Sequence, residues 1–412
     1  MTDLIRTVNM IRNVAHSDLR SAIKRVVVIL SSPRSGSSLV KNVLASHPDV
    51  ASLDGEIEPY LALTGNGFGH NSDSDAIPIL SNENDLTDNI FDDLTVPSSE
   101  WMPLEQLKEQ WKNRVILQFP SLFSKEVELG NLNKAIDESL RDISAGPASE
   151  ERAWQSIILS NIYKNEPWRI NYYDGGCGSI IKPYFDEPVK IEEPPFVVPR
   201  RNRRKFMRSD AENKILLFKT PPDAYRIGMY EKLFPNADVK YIHLTRGFAQ
   251  SVNGLMDGWL SPLGFFSHDM NRIGLNLNIK GYSDTIEFGK KWWKFELPPN
   301  WKEFTASSLE DVCLNQWAST HQAIITSRVK ALRVHFEEFM SAPSLVANKI
   351  MSYIDVPQIK LQHPFHFTMV TENPKLMRWR KREDQLLELG KRSEIKEMME
   401  LLGYEMNPET WA

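Results

Sequence analysis

The apolar positions of this chain change period along its length. Residues 26–30 read Val-Val-Val-Ile-Leu. A short, continuously apolar, β-branched run of this kind predicts a strand buried on both faces, as in a parallel sheet. A polar turn follows from Ser31 to Ser37, and then Leu39, Val40, Val43 and Leu44 recur at helical spacing. His47-Pro48 closes that helix, because proline cannot continue it and restricts the residue before it. Strand, turn and helix in this order open an α/β unit. A short second strand is expected at 50–53. The alternation returns late in the chain, with strands predicted at 215–218, 239–244 and 332–336 and helices at 223–234, 249–257, 309–329 and 344–354. A last helix ends at Leu402-Gly403, where glycine suits a helix stop.

Between 61 and 208 the pattern degrades. Residues 65–100 are rich in Asn, Asp, Ser and Gly, which favour turns, and 104–165 reads mostly helical. Residues 183–199 carry several prolines, followed by a basic run from Arg200 to Lys205. The expected organisation is an N-terminal helix at 1–24, an α/β core made of 25–60 and 209–412, and an insertion at 61–208. Long insertions are often functional, so this one is read as a lid over an acceptor, with a decorative or dimer-forming subdomain as the other reading.

Composition narrows the picture. Over 412 residues the chain is 41% hydrophobic and 25% charged, as in ordinary soluble globular proteins. Its formal net charge of -5 gives no global basic field for nucleic acid or anionic lipid, so any anion site must be local. The two cysteines, Cys177 and Cys313, lack the spacing of a disulfide framework or a zinc site, which fits a reducing compartment. The N-terminal segment has no apolar stretch of the secretory kind, and no run reaches membrane-spanning length. A cytoplasmic protein without a membrane span is expected. His363 and His366 have no further ligand partners at metal spacing, so no metal is assigned.

The turn after the first strand, Pro33-Arg34-Ser35-Gly36-Ser37-Ser38, carries chemistry. Between a buried strand and a helix, the N–H groups of such a turn converge into an anion nest reinforced by the helix dipole. Gly36 lets the backbone come close to a ligand, Ser37 and Ser38 add hydroxyl donors, and Arg34 adds a permanent charge. The second glycine and the Lys-Ser/Thr of the Walker pattern are absent. Arg246 follows the strand at 239–244, and a charge at the carboxyl end of a parallel strand lies on the ligand side of the sheet. His243, inside that strand, is read as structural. Trp292, Trp293 and Trp301 lie near Lys290, Lys291 and Lys294, as an acceptor pocket or as a packed loop.

SSPRSGSSLVKNVLASHPDV, at 31–50, resembles the 5′-phosphosulfate loop of the sulfotransferase family. FKTPPDAYRIGMYEKLFPNADVKYIHLTRG resembles that family's Lys-Thr-Pro segment and the strand ending in its 3′-phosphate arginine. LRVHFEEFMSAPSLVANKIMSYIDVP and MRWRKREDQLLELG resemble its later strand and its C-terminal Trp segment, all in the family's order. The resemblance covers about 25–60 and 213–405. It implies a three-layer α/β fold with a central parallel sheet, of the P-loop nucleotide-binding type; the large, mostly helical insertion at 61–208 lies outside it. It also implies 3′-phosphoadenosine 5′-phosphosulfate (PAPS) as donor, a hydroxyl-bearing acceptor, and no metal.

By that resemblance Arg34, Ser35, Gly36, Ser37 and Ser38 hold the 5′-phosphosulfate, and Arg246 grips the 3′-phosphate. The family's usual serine eight residues after this arginine is here Gly254, with Asn253 beside it. Arg378 is the candidate for the second 3′-phosphate contact, or else a solvated loop charge. Glu56, soon after the His-Pro-Asp turn, is the expected general base, with Asp54, Glu58 and His70 also in play. Arg34 joins it as a catalytic residue through the charge it sets on the leaving group. A nucleotide kinase and a catalytically inactive relative are the alternative functions.

Overall fold

The apolar run at 26–30 lies in a strand, β1 (Arg25–Ser31), inside a seven-stranded sheet. This computed structural model describes residues 2–145, 150–176, 182, 187, 189–361, 365, 367–369, 371 and 376–411. Cys177, His363 and His366 lie outside the described residues. In chain order the strands are β1, β2 (Val50–Ser52), β3 (Thr95–Pro97), β4 (Arg203–Lys205), β5 (Ile215–Phe218), β6 (Asp238–Thr245), β7 (Phe266–Asp269), β8 (Trp292–Lys294) and β9 (Ala331–His335). The main sheet runs β4-β3-β2-β5-β1-β6-β9, while β7 and β8 form a separate antiparallel pair.

Five strands, β2, β5, β1, β6 and β9, are mutually parallel, and β3 and β4 extend one edge in antiparallel fashion. Side chains alternate across a strand, and β1 shows why both faces had to be apolar. Val26, Val28 and Leu30 enter one hydrophobic cluster, and Val27 and Ile29 enter the other. The helices Ser37–Leu44 and Pro343–Tyr353 cover the second face, and Phe248–Leu260 and Leu309–Ser327 cover the first. The result is a three-layer α/β fold.

After β1 the chain crosses to β2 on one side of it, and after β6 it crosses to β9 on the other. The adjacent carboxyl ends of β1 and β6 therefore flank the point where connections part. Open α/β sheets bind ligands at such a point.

Region 61–208 is built into this core. Its helices Glu83–Asp93, Leu104–Gln118, Glu126–Ala145 and Glu151–Ile162 place Ile90, Trp111, Ile136 and Trp154 in the same cluster as Val26 and Val28. It also contributes β3 and β4 to the sheet. The basic run is consumed by structure. Arg203 is buried and donates to the Thr95 hydroxyl (2.7 Å), the Ala45 carbonyl (3.0 Å) and the Ser52 hydroxyl (3.1 Å). Arg204 pairs with Asp210, Lys205 with Asp92, and Arg201 stacks on Trp101.

Several elements differ from the sequence reading. The N-terminal helix spans only Thr2–Arg12; Asn13 turns into the left-handed region, and His16 and Ser17 then bond to Asp88. The helix expected at 223–234 is two short turns, Pro221–Tyr225 and Met229–Leu233, separated by Gly228 at φ +95°. Trp292, Trp293 and Trp301 are core residues rather than the lining of an open acceptor pocket. Lys294 is buried with them, its ammonium satisfied by the Ser261 and Gly264 carbonyls. His243 meets His321 across a buried 2.9 Å hydrogen bond, which fits its structural reading.

Candidate active site

The phosphate-loop candidate sits at the carboxyl end of β1. Two residues in it adopt left-handed backbone, Arg34 at φ +64° and Gly36 at φ +84°. Left-handed residues alternating in a turn bring successive N–H groups to one side, the geometry of an anion nest. The helix Ser37–Leu44 makes its first backbone bonds from Leu39 and Val40 to the Gly36 carbonyl, so the Ser37 and Ser38 amides precede the ladder. Ser35 and Ser37 are buried and Ser38 is half-buried. A Cβ on Gly36 would stand 2.1 Å from Phe336 Cε2. Glycine is therefore demanded here by backbone handedness and by a neighbouring ring, rather than by approach of a ligand alone.

Arg34 is half-buried over the Phe265 ring, 5.0 Å from its centroid. It donates to the Met369 carbonyl (2.6 Å) and the Thr371 hydroxyl (3.3 Å). Arg246, after β6, stacks over Phe336 and donates to the Arg34 carbonyl at 3.0 Å, which binds the two arginines into one unit. Burial, with Arg246 and Arg378 close by, pushes the Arg34 guanidinium down to about 10, against the pull of Asp257. Burial likewise lowers Arg246, opposed by Glu337. Desolvated cations crowded this closely are stabilised by an anion between them.

The helix Phe248–Leu260 carries the second half of this cluster. Gly254 faces Arg34, and a Cβ there would lie 3.2 Å from Arg34 Cβ. The glycine in place of the expected serine thus leaves room for the Arg34 stem. One turn on, Asp257 accepts from Arg378 (2.8 Å), Arg382 (2.8 Å) and Lys381 (2.7 Å). Asn253 accepts from Arg382 through its side-chain oxygen. Arg378 is thus positioned by Asp257 and is not a solvated loop charge.

Glu56 lies just past β2, and its carboxylate pairs with Lys219, just past β5. Since β5 lies between β2 and β1, Lys219 stands between Glu56 and the loop. The other acids and His70 are occupied differently. Asp54 pairs with Arg200 at 2.6 Å, and Arg200 with Arg203 and Lys41 holds it below the usual carboxylate range against its burial. Glu58 pairs with Arg226, itself held by Asp223 at 2.9 Å; burial pushes Glu58 up to about 7. His70 is exposed and lines a groove with Asn9, Thr64 and Asn82. Lys41, on the loop's own helix, is buried and donates to the Leu53 and Asp54 carbonyls, tying the Glu56 segment to the phosphate-loop helix.

Sequence reasoning missed Lys219, Phe265, Phe336, Gln250 and Asp257. Lys219 had a signal, because it ends an apolar strand as Arg246 does. The others show only in three dimensions. Buried polar atoms without a protein partner gather in and beside the loop: the hydroxyls of Ser31, Ser32 and Ser35 and Nε of Arg34 and of Arg246, which donates to the Arg34 carbonyl, with Nε2 of Gln250 in the helix that follows Arg246. Most buried polar groups in folded proteins are hydrogen-bonded, so such a gathering marks a place built for a polar ligand. Among the described residues no group of three or more His, Cys, Asp or Glu is arranged to hold a metal ion. No described helix is long and apolar enough to cross a membrane.

No curated protein matches the chain significantly. Among solved structures, a sulfotransferase domain from the curacin biosynthetic pathway is 13% identical over 93% of this chain and 99% of its own, with a TM-score of 0.36. A sulfotransferase domain from the Synechococcus PCC 7002 olefin synthase is 14% identical over 81% of this chain and 74% of its own, with a TM-score of 0.30. The model of the sulfotransferase family matches residues 26–293, from β1 through β8, a stretch that includes the loop, Glu56, Lys219 and Arg246. The chain belongs to the sulfotransferase family.

Proposed function

We propose that this protein transfers a sulfuryl group from PAPS to an acceptor hydroxyl, in line, with Glu56 as general base. One observation carries the reading: the unpartnered serine hydroxyls of the β1 loop and the Arg34–Arg246 pair lie at the same carboxyl ends of the parallel strands as the Glu56–Lys219 pair. The residues fit the donor's charge. The loop amides and the hydroxyls of Ser35, Ser37 and Ser38 suit a 5′-phosphosulfate, and Arg246 suits a 3′-phosphate.

In this mechanism Glu56 accepts the proton of the acceptor hydroxyl as its oxygen bonds to sulfur. The bond from sulfur to the phosphate oxygen breaks, and its electron pair stays on that oxygen. Arg34 and Lys219 stabilise the charge that develops there. Positioning supplies much of the remaining rate, as in the analogous phosphoryl transfers.

The same reading makes region 61–208 the acceptor-side wall. A Cβ on Gly55 would touch Val197 (3.4 Å), with Glu192 close behind at 3.7 Å. Arg200 holds Asp54, and the Pro194 carbonyl accepts from the Phe265 amide at 2.6 Å. The test is Glu56→Gln, which keeps shape and removes basicity. Turnover should fall about 10²-fold or more while affinity for adenosine 3′,5′-bisphosphate stays within about twofold. Normal turnover in Glu56→Gln, with loss in Glu58→Gln, would move the base to Glu58.

A further inference from the structure

Position 254 of the helix Phe248–Leu260 carries no side-chain donor, yet the cations around it converge on one space. The helix shows what else enters that space. At 100° per residue, position 250 points between positions 254 and 257 and lies one turn or more nearer the helix start. Position 254 faces the Arg34 stem, and Asp257 meets Arg378, Lys381 and Arg382. Gln250 therefore projects between Arg34 and the Arg378–Arg382 group, on the side of Arg246. Gln250 is 3% exposed, and its Nε2 has no hydrogen-bond partner.

A buried amide donor without a partner is costly. The cations on either side of Gln250 cannot accept from it, and the carboxylate on that face, Asp257, already takes Arg378, Lys381 and Arg382. The missing partner is an acceptor-rich anion, and Nε of Arg246 lacks a partner close by. Resting on the PAPS reading above, we infer that Gln250 is a binding residue for the donor's 3′-phosphate. Its amide donates to a phosphate oxygen that Arg246 also holds, supplying the neutral donor that Gly254 lacks. Gln250 thereby helps the protein tell a 3′-phosphorylated nucleotide from a plain one.

The experiment compares adenosine 3′,5′-bisphosphate with adenosine 5′-monophosphate by calorimetry, in the wild type, Gln250→Met and Gln250→Glu. Methionine keeps length and loses the donor; glutamate keeps shape and turns donor into acceptor. Gln250→Met should weaken the bisphosphate by about 10-fold or more and leave the monophosphate within about twofold, and Gln250→Glu should weaken the bisphosphate further. Monophosphate affinity reports on folding; if Gln250→Met loses it, Gln250→Glu decides. A bisphosphate-to-monophosphate ratio unchanged by either variant overturns the role of Gln250. A wild type that binds the two nucleotides equally overturns the PAPS reading itself.

Discussion

Replacing Gly36 by alanine tests whether the loop is shaped by its own backbone and by Phe336. The added Cβ would lie 2.1, 2.4 and 2.5 Å from three carbons of the Phe336 ring. Carbon atoms in contact sit about 3.5–4 Å apart, so the ring must retreat by more than an ångström. Phe336 is buried and has Phe339 stacked nearby, which limits that retreat. Overpacking of this kind costs about 1–3 kcal/mol, and a left-handed alanine adds about 1 kcal/mol. Urea unfolding should therefore show Gly36→Ala destabilised by about 2–4 kcal/mol. Affinity for adenosine 3′,5′-bisphosphate should fall as well, because Arg246 stacks on the displaced ring at 5.0 Å. The cost should shrink by at least about 1 kcal/mol in a Phe336→Leu background, where the ring is gone. An equal cost in both backgrounds would show that Phe336 does not impose the glycine. A change below about 0.5 kcal/mol in the single variant would refute the whole argument.

Two further outcomes are expected. Arg34→Ala should lower turnover about 10²–10³-fold, whereas Lys24→Ala, an exposed position before β1, should leave it unchanged; equal rates would move the leaving-group site elsewhere. The His243–His321 pair makes stability depend on pH. Burial, helped by Arg333, pushes His243 down to about 3, and burial also drives His321 well below its ordinary value of 6.5. Between about 3 and 6.5 the unfolded chain binds more protons than the folded one, so the stability present above pH 6.5 is lost as pH falls through that window. The melting temperature should drop from pH 7 to pH 4, and more shallowly in the double variant His243→Gln/His321→Gln; identical slopes would absolve the pair.

The parallel strands were legible because burial on both faces leaves little room for polar residues. Ile215–Phe218 coincides with its predicted span. The same logic found Arg246 at a strand end and, applied once more, would have found Lys219. The antiparallel strands β3 and β4 at one edge were not legible. β4 is Arg-Arg-Lys, and its membership depends on Arg203 reaching Thr95 and Ser52, contacts that no local pattern contains. Why position 254 is glycine where the family has serine was not legible for a similar reason, since the competitor for space, Arg34, is distant in sequence and only the fold brings them together. Gln250 read as an ordinary helical residue because its lack of a partner is a property of the packed interior.

The pairing of β1 also sets an order of events during synthesis. Val26 stands in register opposite Leu216 on one side and Val239 on the other. At 5–20 residues per second, a ribosome needs on the order of 10–40 s after β1 emerges before its first neighbour exists. For that interval a five-residue apolar, β-branched segment has both edges open, the kind of segment that pairs with other chains. The helices of region 61–208 emerge meanwhile, and the hydrophobic cluster their apolar faces later share with Val26 and Val28 is still incomplete. The strand that carries the phosphate loop is thus the first of the sheet to be made and among the last to be secured, and the newborn chain depends on whatever shields that strand until β6 is complete.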